Sequence, residues 1–353
     1  MSMTTAAVLG TGAWGTTFAQ VLADAGVSVT MWGRNADTIS FINGGENPTY
    51  LPGISLSERI SATTDIAEAV AGRELVVVAV PVKAVRATLS AARESFAPEV
   101  ALLSLAKGLE LGSLKRVDEI IAEASGVPAS RIAVLSGPNL SREIAERQPT
   151  ATVVAASDVE LAKEIAKASS RGGGPEKNAA PPCHNSYFRP YVSTDVVGTE
   201  MAGATKNVIA VAIGAAEGMG LGINTRSTLI TRGLAEMTRL GTALGADPAT
   251  FAGLSGIGDL VATCSSRLSR NFSLGHRLGS GMGLTEALAL SPGVVEGVAS
   301  ASPILQVAAS VGVDMPITGA VVEVVEGRAS IEDMGRMLLA RPQKMDGWKI
   351  ELV

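Results

Sequence analysis

Ala6-Ala7-Val8-Leu9-Gly10-Thr11-Gly12-Ala13-Trp14-Gly15 is the stretch on which the fold turns. Four small aliphatic residues run into G-x-G-x-x-G, and the residues beyond Gly15 give that pattern its meaning. Phe18, Val21, Leu22 and Ala25 recur at i, i+3, i+4 and i+7, the spacing of one helix face, and Gly26 supplies a stop. Val27, Val29 and Met31 then alternate as a second, half-buried strand. Strand, glycine turn, helix and strand in that order predict a dinucleotide-binding unit. Gly10 permits the tight turn, Gly12 lets a pyrophosphate approach the backbone, and Gly15 lets helix and strand pack closely. The helix N-terminus offers unpaired N–H groups and a positive dipole to the phosphates.

Further along, Val/Leu-rich runs alternate with helical patterns. Leu75–Val80 is uninterrupted and aliphatic, as a strand covered on both faces should be. Ala101–Leu105, Ile132–Leu135 and Thr152–Ala155 continue the series, with helices such as Ala67–Val70 and Ser113–Ala124 between them. This alternation predicts a parallel, doubly wound α/β sheet. After about residue 195 long helical segments take over: Val196–Ala216, Thr225–Leu244, Leu284–Leu290, Val298–Ala309 and Ile317–Val325. Pro248, Pro292 and Pro316 stand near their expected boundaries. The division expected is a Rossmann-type dinucleotide-binding domain over 1–192 and an all-helical substrate domain over 193–353. Residues 169–185, SSRGGGPEKNAAPPCHN, suit neither helix nor strand and are expected to form a surface loop. Cys183 and His184 within it lack the partners a metal site needs, and no metal is expected.

The 353 residues carry a net charge of −5, and only 18% are charged. An acidic chain is a poor partner for a nucleic-acid backbone, which calls for a basic face. No uncharged apolar run approaches the length of about 18 residues that a membrane span needs; the longest, 207–216, has ten. Two cysteines make no disulfide framework, and the chain opens on a strand rather than a signal-like segment, so a soluble, cytoplasmic enzyme is expected.

A few cations and carboxylates stand in places that need explaining. An NAD site usually ends the second strand with Asp or Glu. Here Trp32-Gly33-Arg34-Asn35 lacks the acid, and Arg34 is either solvated or a partner for a 2′-phosphate. Lys107-Gly108 directly follows a core strand, where ligands of doubly wound sheets sit, and Gly137-Pro138-Asn139 occupies the same topological place after the next strand. Lys206 lies among small and aliphatic residues on a core helix, an expensive place for an ammonium unless it is paired or transfers protons. Asp259, in Gly256-Ile257-Gly258-Asp259-Leu260, is either a helix N-cap or the counter-charge of Lys206. Ser269-Arg270-Asn271 sets hydroxyl, guanidinium and amide in series, a trio suited to a phosphate.

Assembled, these segments resemble the bacterial NAD(P)-dependent glycerol-3-phosphate dehydrogenases. The likeness is carried by Gly10–Thr16, Ala106-Lys107-Gly108-Leu109-Glu110, Ser136-Gly137-Pro138-Asn139, Ser193–Gly198, Gly203–Ala210, Leu229–Glu236, Gly258–Cys264, Ser269-Arg270-Asn271 and Val295-Glu296-Gly297. The resemblance implies an oxidoreductase that interconverts dihydroxyacetone phosphate and sn-glycerol 3-phosphate, the precursor for glycerophospholipid biosynthesis. It implies a nicotinamide cofactor, and Arg34 in place of the acid favours NADPH, with NADH the alternative. By position, Lys206 is the implied general acid and base, with Asp259 and Lys107 beside it. Lys107, Gly137, Asn139, Lys206, Asp259, Ser269, Arg270 and Asn271 are the implied substrate residues. Gly10, Gly12, Ala13, Trp14, Gly15, Arg34, Lys107, Ser141, Arg270, Val294 and Glu296 are the implied cofactor contacts.

The chain departs from the family pattern in four places. Asn139 stands where many members have Ser or Thr, Ser141 replaces a frequent Ala, and Ile223 precedes Asn224 where a polar residue is common. The 169–185 stretch is about a dozen residues longer than the family segment, a surface insertion that costs little closure entropy. Two rival readings share the fold: a related two-domain β-hydroxyacid or phosphogluconate dehydrogenase, and a catalytically silent nucleotide sensor. Asp259 and the Ser269–Asn271 trio argue against the first, and the full set of polar residues against the second. A homodimer is compatible with the helical half, although no apolar stripe singles out its face.

Overall fold

The computed structural model describes residues 3–170, 187–291 and 293–339. The N-terminal half is built on strands β1 (Thr5–Leu9), β2 (Ser28–Trp32), β3 (Glu46–Asn47), β4 (Leu51–Ser55), β5 (Ile60–Thr63), β6 (Leu75–Val78), β7 (Ala101–Ser104), β8 (Ile132–Ser136), β9 (Thr150–Ala156) and β10 (Phe188–Ser193). Its helices are α1 (Ala13–Asp24), α2 (Ala36–Asn43), α3 (Ile66–Val70), α4 (Val82–Ala92), α5 (Val117–Ser125), α6 (Ser141–Ala145) and α7 (Val159–Ser170). Eight strands form one sheet in the order β10-β9-β8-β7-β6-β1-β2-β5, while β3 and β4 make a separate hairpin. Leu9 lies level with Trp32 on one side and Val78 on the other, so the strands end together and line one carboxyl edge. Two apolar layers cover the sheet. One includes Val8, Phe18, Leu22 and Leu103; the other includes Leu9, Val78, Leu89 and Ile120.

The sheet departs from the sequence expectation in instructive ways. It is not wholly parallel: β9 runs antiparallel to β8, and β10 runs parallel to β9. Periodicity tells a strand from a helix but carries no sign of its direction. β2 is not half-buried, because Thr30 is buried beside Val29 and Met31. Its hydroxyl is within reach of Ser61 Oγ at 3.3 Å and accepts from Arg73 Nη2 at 2.9 Å, which makes a polar residue tolerable there. The helix expected from Ser113 begins at Val117, with the Arg116 N–H donating to Glu119 Oε2 at 2.8 Å across its first turn. β10 has no counterpart among the expected strands; it carries Pro190 and a half-exposed Tyr191, which an edge strand accommodates. The 169–185 loop expectation lies outside the described residues except for Ser169 and Ser170, which end α7. Pro292 also lies outside them.

The C-terminal half is helical: α8 (Val196–Gly218), α9 (Ile223–Ala243), α10 (Pro248–Phe251), α11 (Asp259–Ser265), α12 (Arg270–Gly279), α13 (Leu284–Ala289), α14 (Glu296–Ser310), α15 (Pro316–Val325) and α16 (Ile331–Leu339). α8 is its axis, buried from Met201 to Ala216 without a break. By length and composition it passes for a membrane span, yet 89% of its apolar window is buried against protein. Glycines let α12 lie directly on it. A Cβ on Gly214 would come within 2.1 Å of Phe272 O, and one on Gly275 within 2.0 Å of Val211 O. Gly218 and Gly279 repeat the contact one turn on, so the two backbones touch along a small-residue seam.

Candidate active site

The carboxyl edge of the sheet and the middle of α8 bring three charged side chains together. Lys107 arrives just after β7, Lys206 from the buried centre of α8, and Asp259 as the first residue of α11. Asp259 is 1% exposed. Its Oδ1 accepts from Lys206 Nζ at 2.6 Å and its Oδ2 from Lys107 Nζ at 2.6 Å. Lys206 also donates to Thr263 Oγ1 at 2.6 Å, and Lys107 reaches the Gly137 carbonyl at 3.4 Å. Thr263 follows Asp259 by one helical turn and in turn donates to Asp259 Oδ1 at 3.3 Å. The N-cap reading of Asp259 therefore falls away: Gly258 holds the cap position, and the carboxylate faces the two lysines.

The cluster carries two positive charges against one negative. Burial pushes the Lys206 ammonium down to about 8; Asp259 opposes this fall, and the nearby Lys107 charge reinforces it. Burial alone would raise Asp259, but the two ammonium groups outweigh it and hold the carboxyl below its ordinary range. Such a group can exchange a proton near neutral pH while its counter-ion stays charged. Cys264, the neighbour of Thr263, is buried and its thiol is pushed up to about 12, so it is inert as a nucleophile.

The other anticipated residues group differently. Ser269 is the N-cap of α12, its Oγ accepting from Phe272 N at 3.2 Å. The buried Asn271 donates from Nδ2 to Asn207 Oδ1 at 2.9 Å and accepts from Gly297 N at 2.9 Å. That amide ties α12, α8 and α14 together beside Lys206. Arg270 opens α12; its charge, with that of Lys83, acts on Glu296, whose carboxyl burial raises. Glu296 Oε2 would lie 3.7 Å from a Cβ on Gly108, so α14 meets the loop that carries Lys107. Val294, half-buried, leads into that helix. Asn139 donates from Nδ2 to Thr152 Oγ1 at 3.0 Å. Arg34 stands exposed where β2 ends, and Ser141 opens α6, its carbonyl accepting from Thr17 Oγ1 on α1 at 3.2 Å.

The glycine turn fits a dinucleotide. A Cβ on Gly10 would lie 2.8 Å from Ala79 O, and one on Gly15 would lie 2.3 Å from Gly10 O, so both positions require the bare backbone. A Cβ on Gly12 would meet nothing within 4 Å, leaving open space before the N-terminus of α1. That turn has no side-chain cap and no acidic residue, the chemistry an anionic pyrophosphate needs. Ala13 and Trp14 begin the helix; the Trp14 ring meets Phe18 edge-on at 5.8 Å, and its Nε1 is buried without a partner. Among the described residues, no three His, Cys, Asp or Glu side chains converge as a metal site.

Sequence reasoning did not single out Thr263, Asn207 or Thr152. Thr263 was accessible from helical spacing, since i+4 from a site carboxylate is the same face. Asn207 follows Lys206 on a buried helix, and only the fold shows it turned toward α12.

Comparison with known proteins identifies the family. The N-terminal model of the NAD-dependent glycerol-3-phosphate dehydrogenases matches residues 5–162 and the C-terminal model matches residues 195–336. The glycerol-3-phosphate dehydrogenase [NAD(P)+] of Streptomyces griseus is 51% identical over 343 residues, covering 96% of this chain and 98% of that protein. Its counterpart from Thermobifida fusca is 52% identical over 322 residues, covering 91% and 92%. The crystal structure of a glycerol-3-phosphate dehydrogenase from Coxiella burnetii superposes with a TM-score of 0.87 at 30% identity, covering 96% of this chain and 99% of that one. On the two matched models and on relatives half identical over nearly its whole length, the chain belongs to the NAD-dependent glycerol-3-phosphate dehydrogenase family.

Proposed function

We propose that the chain reversibly reduces dihydroxyacetone phosphate to sn-glycerol 3-phosphate with NADPH, NADH being the alternative donor. The observation that carries this reading is the buried Lys107–Asp259–Lys206 cluster at the carboxyl edge of the sheet. In this reading residues 1–192 hold the cofactor and 193–353 the substrate. The bound nicotinamide supplies a hydride to C2 of the substrate. Lys206 gives its proton to the alkoxide oxygen that develops there, and takes it back in the oxidative direction. Asp259 holds Lys206 in place and keeps it from losing its proton too readily. Lys107 adds a second positive charge that favours the oxyanion as it forms.

Arg270, with Asn271 beside it, takes the substrate phosphate, because a guanidinium fork matches phosphate oxygens. Gly137, Asn139 and Ser269 complete the substrate's surroundings. Gly10, Gly12 and Gly15 with Ala13 and Trp14 cradle the cofactor, with Ser141, Lys107, Arg270, Val294 and Glu296 as further contacts. Arg34 at the end of β2, where an acid would select NADH, supports the preference for NADPH. The reading places the enzyme in the cytoplasm, ahead of glycerophospholipid assembly, with the helical half supplying the face for a homodimer. The test is substrate-dependent oxidation of NADPH and NADH in parallel, with dihydroxyacetone phosphate against unphosphorylated 2-oxo acids. Turnover confined to dihydroxyacetone phosphate is expected; turnover with the oxo acids alone, or none at all, would overturn the reading.

A further inference from the structure

We propose that Thr152, in the interior of β9, is a positioning residue that orients the amide of Asn139 so that its carbonyl oxygen, and not its NH2 group, faces a hydroxyl of the substrate. The inference deepens the proposed function and rests on it. The parallel pattern of the sheet breaks between β8 and β9. Because β9 runs antiparallel to β8, a residue near its start lies beside the carboxyl end of β8, level with the loop after that strand. That residue is Thr152, which is fully buried. Its hydroxyl has a single proton, and this goes to the Ser136 carbonyl at 3.0 Å. A carbonyl can only accept, so Thr152 Oγ1 has only acceptor capacity left for its other partner. That partner, Asn139 at 3.0 Å, must therefore present its NH2 group.

The orientation of Asn139 is thus set by chemistry rather than by which amide atom is drawn where. The consequence falls on Oδ1, which is buried and without a partner. A buried acceptor left unpaired is costly, and a donor must come from elsewhere. The loop also sits against the cation cluster, since the Gly137 carbonyl accepts from Lys107 Nζ at 3.4 Å. Gly137, at φ +153°, packs so tightly that a Cβ there would lie 3.0 Å from both Thr152 Cα and Oγ1. Thr152 therefore sets both the height of the loop and the face of its amide. Dihydroxyacetone phosphate carries one free hydroxyl and sn-glycerol 3-phosphate two, and an oriented acceptor selects for such a donor over a keto or methyl group.

The test is a double-mutant cycle on the full chain with Asn139→Ala and Thr152→Val, the latter nearly isosteric but without the hydroxyl. Loss of one oriented hydrogen bond should raise KM for dihydroxyacetone phosphate about 10-fold in either single variant, with kcat nearly unchanged. KM for NADPH should stay within about twofold, a split that a general loss of packing would not produce. Thr152→Ser, which keeps the hydroxyl, should restore the wild-type KM. Thr152→Val placed on Asn139→Ala should add nothing, because Thr152 acts through that amide. An unchanged KM in Asn139→Ala, or additive effects in the double variant, would overturn the inference while leaving the proposed function intact. Should Thr152→Val fail to fold, Thr152→Ala, alone and on Asn139→Ala, takes its place in the cycle with the same expected and overturning results. A wild-type protein that does not turn over dihydroxyacetone phosphate would overturn both.

Discussion

Asp259→Asn is the most revealing single change. The substitution keeps the shape of the side chain and removes the one negative charge that two lysines share. Each ammonium lies 2.6 Å from a carboxylate oxygen. At an effective dielectric of about 20, opposite charges at that separation attract by roughly 6 kcal/mol before desolvation is counted. Breaking a buried pair by removing one partner costs roughly 3–5 kcal/mol in practice. Lys107, with 14% of its side chain exposed, can recover some hydration; Lys206, at 8%, cannot. The loss should therefore fall mainly on Lys206, which sheds its proton at lower pH than in the wild type. Stability and turnover both register the change. Denaturant unfolding at neutral pH should show a loss of about 3 kcal/mol or more. The rate of ketone reduction should fall by roughly 10²–10⁴, with its alkaline decline moved to lower pH. A variant within tenfold of wild-type kcat/KM, with an unmoved pH profile, would refute the assignment of Asp259 as the holder of Lys206.

Four further outcomes are expected. Lys206 sits near 8 in the folded chain against 10.5 ordinarily, so the reductive rate, which needs the ammonium, should fall as pH rises through about 8, while the oxidative rate rises over the same interval. The sign for stability is opposite to that of a stabilised cation: the unfolded chain binds more protons between about 8 and 10.5, so this group makes the fold gain stability as pH rises there. Gly214→Ala should destabilise by about 1–3 kcal/mol, because its Cβ would enter to 2.1 Å of Phe272 O, whereas Gly319→Ala, whose nearest atom would be Leu305 Cδ1 at 4.0 Å, should stabilise by about 0.5–1 kcal/mol; thermal denaturation of both reads the contrast. Arg34→Glu should lower the NADPH/NADH ratio of kcat/KM by about tenfold or more, and an unchanged ratio would remove Arg34 from cofactor selection.

The parts of this molecule that sequence reading reached are those with a local cause. Gly10, Gly12 and Gly15 announced the cofactor turn because their spacing falls, within one short stretch, between a strand run and a helical run. Lys206 and Lys107 stood out because a cation beside buried aliphatic residues has to be explained. The parts that escaped depend on distant partners. The reversal of β9, and with it the place of Thr152 under the loop after β8, is set by strand pairing that no local period encodes. Asp259 was open between cap and counter-ion until α11 was seen to aim it at both lysines. Ser269 and Asn271 read as ligand groups, yet both have structural partners in Phe272 N, Asn207 and Gly297. Net charge was equally uninformative about the site. An overall −5 argues against a polyanionic partner but does not register two ammonium groups gathered on one buried carboxylate.

The central claim is that the buried Lys206 ammonium moves the proton. Its direct test is Lys206→Met, which keeps the length and apolar stem of the side chain, measured for NADPH binding by fluorescence and for turnover of dihydroxyacetone phosphate. Cofactor affinity is expected within about threefold of wild type, with kcat lowered by roughly 10²–10⁴. A variant that binds NADPH and keeps a tenth or more of the wild-type kcat would contradict it.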